Sequence, residues 1–177
     1  MTHVDIANVS NALQNIIGNF FDRRQLCILT GKHCWSIFVD VLILESDGND
    51  IDASVLAIRA ALFATRLPGV SLEEGTESEA LVLSEDPKDA RILSCQGLPV
   101  AVTLCQISSS SPSYFVDPSR AEQDCASSTL ILAVEPVSGH LNFIQKFSDG
   151  LIDSSILFEI FAVAQSTASF LFERVQK

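Results

Sequence analysis

Positive charge is scarce in this 177-residue chain: 11 lysines and arginines stand against 22 aspartates and glutamates, a formal net charge of −11. Gripping nucleic acid by overall charge needs concentrated Lys and Arg, so that mode is excluded; any nucleic-acid contact must be local or supplied from outside the chain. Histidine is scarcer still, with three in all. None lies beside a Ser or Cys inside a recognisable nucleophile motif, which leaves a hydrolytic triad without support; His3 and His140 stand alone. Neither GxxxxGK[ST] nor GxGxxG occurs, so nucleotide cradles of those types are absent. The five cysteines, Cys27, Cys34, Cys95, Cys105 and Cys125, contain no CxxC-like pairing, and Cys27, His33 and Cys34 fall short of the four ligands of structural zinc. Their odd number and their places on or beside apolar runs predict reduced, buried thiols in an intracellular protein. No segment approaches the roughly 18 uncharged apolar residues that cross a bilayer. The opening MTHVDIANVS lacks a basic start followed by an apolar run, so neither a membrane partner nor a secretory signal is expected.

What is present is apolar. With 47% hydrophobic and 19% charged residues, the chain has the composition of a packed globular protein, not a disordered one. Ile6, Val9, Leu13, Ile16, Ile17 and Phe20 recur at steps of three and four and predict a helix over 5–20, with Gly18 near its end. Leu26–Thr30 reads as a short strand and Gly31-Lys32 as a turn. Cys34–Leu44 predicts a long strand apolar on both faces, with Trp35, Ile37, Val39, Val41 and Ile43 on one side and Phe38, Leu42 and Leu44 on the other. Such a strand belongs in the middle of a covered sheet. The turn residues 47–50 follow, and Asp50 or Asp52 is placed to cap a helix over 53–64 that Pro68-Gly69 stops.

The stretch 71–89, rich in Glu and Asp, reads as an exposed acidic connector. Apolar runs at 90–95, 100–107 and 114–116 come next, with a serine-rich loop at 108–112. Residues 127–134 and 141–147 flank a turn at Ser138-Gly139 as a hairpin. Asp153 is placed to cap a last helix whose buried stripe is Ile156, Leu157, Ile160, Ala164, Ala168, Leu171 and Val175. The order predicts an α+β protein in three parts: 1–70, the connector 71–89, and 90–177.

Chemistry-bearing groups are few. Asp40, Glu45, Asp47, Asp50 and Asp52 cluster near the end of the predicted strand and could offer oxygen ligands to a divalent metal. Turn and cap demands account for the same residues, so no metal or other cofactor is expected. Arg23, Arg24 and Lys32, with Arg59 and Arg66, are the local basic groups of the first half; each could touch a phosphate, though such residues are more often solvated surface.

One stretch carries a resemblance. CWSIFVDVLILESDGNDIDA (34–53), followed by RAALFATRLP (59–68), resembles the W-x-x-x-x-D-V-x-x-L-x-x-x-G-N-x-x-D-A, A-A-L, R-[IL]-P run of RNase PH-like subunits of the RNA exosome ring. Leu26-Cys27-Ile28 and the segment 115–118 with Glu122 match further family positions. The resemblance implies an RNase PH-like α+β fold in which 1–70 is the later part of a first sub-domain lacking its leading strands, and 90–177 is a second sub-domain in which Val116-Asp117-Pro118 opens a strand. It is nearest to the non-catalytic ring subunit. Active phosphorolytic members resemble Asp-Gly-Gly-Thr-Arg at this corner. Here Asp47 and Gly48 are kept, Asn49-Asp50-Ile51 replace the rest, and Leu42 stands where an active member presents a carboxylate. A phosphate site with an added Asp and no Arg repels its substrate. The corner Asp47, Gly48, Asn49 and Asp50 is therefore expected to be a degenerate phosphate or metal site.

The first helix also lacks the pore-facing arginines common in the family, which leaves Arg23, Arg24 and Arg66 as candidate RNA contacts. The partners so implied are other RNase PH-like ring subunits and cap subunits, with RNA met indirectly or weakly, in nucleus, nucleolus and cytoplasm. Two rival readings are an active phosphate-dependent 3′→5′ exoribonuclease and an α+β interaction domain outside RNA metabolism.

Overall fold

The computed structural model describes residues 6–73, 80–108, 113–147 and 150–175. His3, the acidic run at 74–79 and most of the serine-rich loop, 109–112, lie outside the described residues.

Two strands make the centre. β7 (Val100–Gln106) and β9 (Ser128–Val134) pair antiparallel along their whole length, from Val100 opposite Val134 to Gln106 opposite Ser128. β10 (Leu141–Lys146) adds to β9 and the short β8 (Phe115–Val116) to β7, giving the order β10-β9-β7-β8. The β9–β10 hairpin turns where expected: Glu135 N–H donates to His140 O (2.9 Å), Gly139 N–H donates to Glu135 O (2.8 Å), and Gly139 takes φ +73°. Alternation along β7 and β9 then sorts side chains onto two faces. Ala101, Ile131 and Ala133 join Val55, Ile58 and Leu62 with Ile16 and Ile17 in one core. Val102, Leu104, Leu130 and Leu132 join Ile160, Ala164 and Ala168 in the other.

Helices supply both coats. α1 (Ile6–Leu13) runs on into a π-helical turn, Gln14–Gly18, whose extra residue lets the consecutive Ile16 and Ile17 both reach the core. α2 (Asp50–Ala64) lies on the same face, and its Thr65 exit precedes Pro68 as expected. α4 (Leu157–Val175) covers the opposite face with the stripe Ile160, Ala164, Ala168, whose two alanines let the helix approach the sheet. Asp153 accepts from Ser155 N–H at the head of the preceding 3₁₀ turn. Val175, assigned to that stripe from sequence, is 48% exposed at the helix end. The helical run Ser154–Val175 is by length and composition alone sufficient to cross a bilayer, contrary to the expectation that no segment is. It carries Glu159, Glu173 and Arg174 and lays one stripe on a sheet.

Four other expectations change. β1 (Cys27–Leu29) and β2 (His33–Cys34) pair as a small hairpin, but the predicted central strand stops pairing at Cys34. Trp35 N–H still donates to Leu26 O, but among the described residues no strand pairs with 36–46. Trp35 and Ile37 still turn toward the core, while Phe38, Leu42 and Leu44 are 88%, 81% and 89% exposed. Alternation survives because it is a property of extended backbone; burial fails because it needs a ladder partner and a covering layer. The acidic connector is a hairpin, β4 (Val70–Glu73) on β5 (Ala80–Leu83), bracketed by β3 (Arg66–Leu67) pairing β6 (Arg91–Ile92). The segment 116–118 closes β8 instead of opening a strand, and leads to a short helix, α3 (Arg120–Cys125). Only Cys95 and Cys105 are buried; Cys27, Cys34 and Cys125 are exposed.

Candidate functional site: the corner before α2

Two successive left-handed residues make the corner, Gly48 at φ +110° and Asn49 at φ +53°. Gly48 is required twice over. A Cβ there would strain the backbone and would meet Pro118 O, Ser119 C and Arg120 N at 2.6 Å. The corner is thus docked against the loop before α3, where Arg120 N–H donates to Asp47 O (2.5 Å). Asn49 Nδ2 donates to Asp117 Oδ1 (2.8 Å), and Asp117 is itself left-handed at φ +56°. Asn49 Oδ1 is buried without a hydrogen-bond partner.

The two acidic residues expected to cap α2 do other work. Asn49 occupies the cap position without a side-chain cap bond. Asp50 accepts from Ser46 Oγ (2.5 Å) and lies 3.8 Å from Arg120 Nη2, which also reaches Ser46 Oγ (3.4 Å). Asp52 points into the sheet and accepts from Thr103 N–H (2.7 Å) and Thr103 Oγ1–H (2.8 Å). The ladder explains this. β8 pairs Val116 with Leu104 and Phe115 with Cys105, then breaks at Asp117-Pro118. Thr103 N–H would be orphaned at that break, and the Asp52 carboxylate supplies the missing acceptor. Burial pushes Asp52 up from 3.8 to about 6, against the lowering effect of the Thr103 bonds.

A 260 Å³ cleft opens between α1, the corner and α3, lined among others by Asn8, Asp50, Thr103, Arg120, Gln123 and Phe147. Its arginine corrects the sequence reading. Residues 47–53 contain no arginine, yet the corner in space has one, brought by α3 from the other half of the chain. The Ser119–Glu122 capping box that starts α3 was the readable signal for it. Asp50 faces Arg120 at 3.8 Å and partly offsets its charge. Among the described residues no group of three His, Cys, Asp or Glu converges as a metal would require. The corner holds two chain segments together through Asn49–Asp117 and Asp50–Arg120.

The remaining arginines divide. Arg23 and Arg24 are exposed on a 3₁₀ turn, Arg23–Leu26, with Arg23 Nη2 donating to Gly18 O (3.2 Å). Gln25 clamps that turn to Ser94, donating to Ser94 O (3.0 Å) and accepting from Ser94 N–H (2.7 Å). Just upstream of Ser94 lies β6, which carries Arg91 and pairs with the strand carrying Arg66. Arg23, Arg24, Arg66 and the unforeseen Arg91 therefore sit on neighbouring elements, all exposed. Arg59 departs from the expected surface role. It is 4% exposed, donates to Leu98 O and to Pro99 O (3.3 Å), and lies 5.8 Å and 5.4 Å from the rings of Phe63 and Phe172.

Comparison with known proteins bears on this geometry. Residues 7–68, which span α1, the corner and α2, match the 3′ exoribonuclease family, domain 1. The chain is 33% identical over 143 residues to a protein named putative exosome complex exonuclease RRP42 of Dictyostelium discoideum, covering 80% of this chain and 43% of that relative. It is 32% identical over 156 residues to the exosome complex component Rrp42 of Archaeoglobus fulgidus, covering 88% and 54%. The chain thus spans about half the length of the curated relatives it matches. Among solved structures, a chain of an archaeal exosome core superposes with TM-score 0.75 at 28% identity, over 97% of this chain and 63% of that one. A chain of the Archaeoglobus fulgidus exosome with RNA bound to the active site gives 0.73 at 26%, over 95% and 60%.

Proposed function

We propose that this chain, whose residues 7–68 match the 3′ exoribonuclease family and whose fold is that of an archaeal exosome-core chain, is a non-catalytic ring subunit of an RNA exosome. Its role is structural: it helps enclose the route by which RNA reaches a nuclease carried by other subunits. The observation that carries this reading is the Asp50–Arg120 ion pair behind Gly48. A cation matched by its own carboxylate offers an incoming phosphate little, and the backbone packed against Gly48 leaves no room to rearrange the corner around one.

The extended segment 35–46 supports the assembly half of the proposal. From Ser36 on it presents backbone that no described strand pairs, together with large apolar side chains, the surface that obligate partners bury. Its occupants on this reading are neighbouring RNase PH-like chains, with cap subunits elsewhere on the ring. Arg23, Arg24 and Arg66, joined by Arg91, are the residues proposed to meet RNA. Nuclear, nucleolar and cytoplasmic work belongs to the same proposal.

Two observations favour a second reading. Arg120 does stand in the cleft, and a relative bears the name exonuclease, so a phosphate-dependent exoribonuclease is the alternative. Incubating the chain, alone and assembled with ring partners, with RNA, phosphate and magnesium separates the two. The structural reading expects that Arg120→Ala leaves nucleoside diphosphate release by the assembly unchanged. Loss of release in that variant, with assembly intact, would transfer the case to the enzyme reading.

A further inference from the structure

Cys27 and Cys34 stand directly opposite each other across the β1–β2 hairpin. Trp35 N–H donates to Leu26 O (2.8 Å), which makes Leu26/Trp35 a hydrogen-bonded pair and leaves Cys27/Cys34 at the adjoining non-hydrogen-bonded position. Opposed residues at such positions lie about 4.5 Å apart between Cα atoms, with side chains leaning together on one face. That separation is inside the roughly 4.4–6.8 Å window that a disulfide accepts. Both cysteines are exposed, both are thiols, and Cys27 Sγ has the Thr30 hydroxyl 3.9 Å away as its neighbour. The turn between them is short, with Gly31 at φ +77° and Lys32 N–H donating to Leu29 O (3.0 Å), so the hairpin sets the two cysteines opposite each other without a bond between them.

We propose that Cys27 and Cys34 are a redox-active dithiol, a site of reversible disulfide formation. A low-molecular-weight disulfide such as glutathione disulfide is the oxidant. One thiolate attacks a sulfur of that disulfide, forming a protein–glutathione mixed disulfide and releasing one glutathione thiolate. The second cysteine, having given up its proton to solvent, attacks the protein sulfur of the mixed disulfide and expels the second glutathione. Two cysteine thiols are oxidised to one disulfide, and one glutathione disulfide is reduced to two thiols. The bond closes a loop of eight residues, 27–34, and fixes the hairpin from which the exposed segment 35–46 departs. Cys125, exposed but with no cysteine opposite it, should stop at the mixed disulfide.

Trypsin reads the result directly, because Lys32 lies between the two cysteines. The folded chain is equilibrated in glutathione buffers of increasing oxidised fraction, remaining thiols are alkylated, and tryptic peptides are weighed. The expected product is peptide 25–32 joined to peptide 33–59, lighter than their sum by two hydrogens. In the Cys34→Ser variant, Cys27 should instead carry glutathione at the same buffer ratio. The same titration in urea should need a more oxidising buffer to reach half linkage, since the hairpin no longer holds the thiols together. Separate glutathione adducts on both peptides of the folded native chain, or equal linkage with and without urea, would overturn the proposal. Linkage of either cysteine to Cys125 in preference to its hairpin partner would overturn it as well.

Discussion

Replacing Asp52 with asparagine should flatten the pH dependence of stability across the mildly acidic range. Asp52 titrates near 6 in the folded chain against an ordinary 3.8, because burial outweighs the two bonds from Thr103. The folded state therefore binds a proton that the unfolded chain releases at lower pH. Stability from this group is fully present well below 3.8 and is lost as pH rises through about 6. The interval between 3.8 and about 6, at roughly 1.4 kcal/mol per pH unit, amounts to about 3 kcal/mol. Asparagine keeps an acceptor for Thr103 N–H and cannot ionise. Urea unfolding of the native chain and Asp52→Asn at a series of pH values gives the difference directly. The native chain should lose about 2 kcal/mol of this relative to the variant between pH 4 and pH 7, the rest having gone below pH 4. Glu122 and Asp153, whose pKa values their cap bonds to Ser119 and Ser155 lower, act in the opposite sense and at lower pH, and they cancel between the two proteins. Parallel curves across that range would refute the assignment of Asp52 as a buried, proton-retaining carboxylate.

Other consequences are as specific. Gly48→Ala places a Cβ against three backbone atoms at a left-handed φ, and should cost more than about 2 kcal/mol by urea midpoint at unchanged m-value. Asp50→Asn, by contrast, removes one partner of a partly exposed pair and should cost no more than about 1 kcal/mol in the same assay. Arg59→Leu leaves the Leu98 and Pro99 carbonyls without their donor and should lower stability by about 2–3 kcal/mol; a neutral outcome would deny those bonds any net value. Leu42→Asp with Leu44→Asp alters side chains that are almost fully exposed, so the isolated chain should change by less than about 0.5 kcal/mol while capture of ring partners is lost.

Periodicity carried most of what could be read in advance. The three- and four-residue steps of α1 and α4 and the alternating runs of β7, β9 and β10 each imply one element whatever surrounds them. The run 34–44 shows the limit of that logic. Its alternation was legible, but its place in a sheet depends on strands that must come from elsewhere, and the described chain provides none. The corner shows a second limit. Asp50 and Asp52 have the residue type of helix caps, and nothing local distinguishes a cap from an ion-pair partner or from an acceptor for an orphaned strand N–H. Those roles are set by Arg120 and Thr103, more than fifty positions along the chain, and by the break at Pro118. Arg59 failed for a similar reason: an arginine in an apolar helix reads as surface until the carbonyls and rings that enclose it are in place.

The proposal that this chain serves as building material for a ring is tested most directly by hydrogen exchange at residues 35–46, measured in the isolated chain and after mixing with RNase PH-like ring subunits. The account predicts fast exchange alone and strong protection in a co-eluting assembly. Fast exchange in both, or separate elution of the chain and the ring subunits, would contradict it.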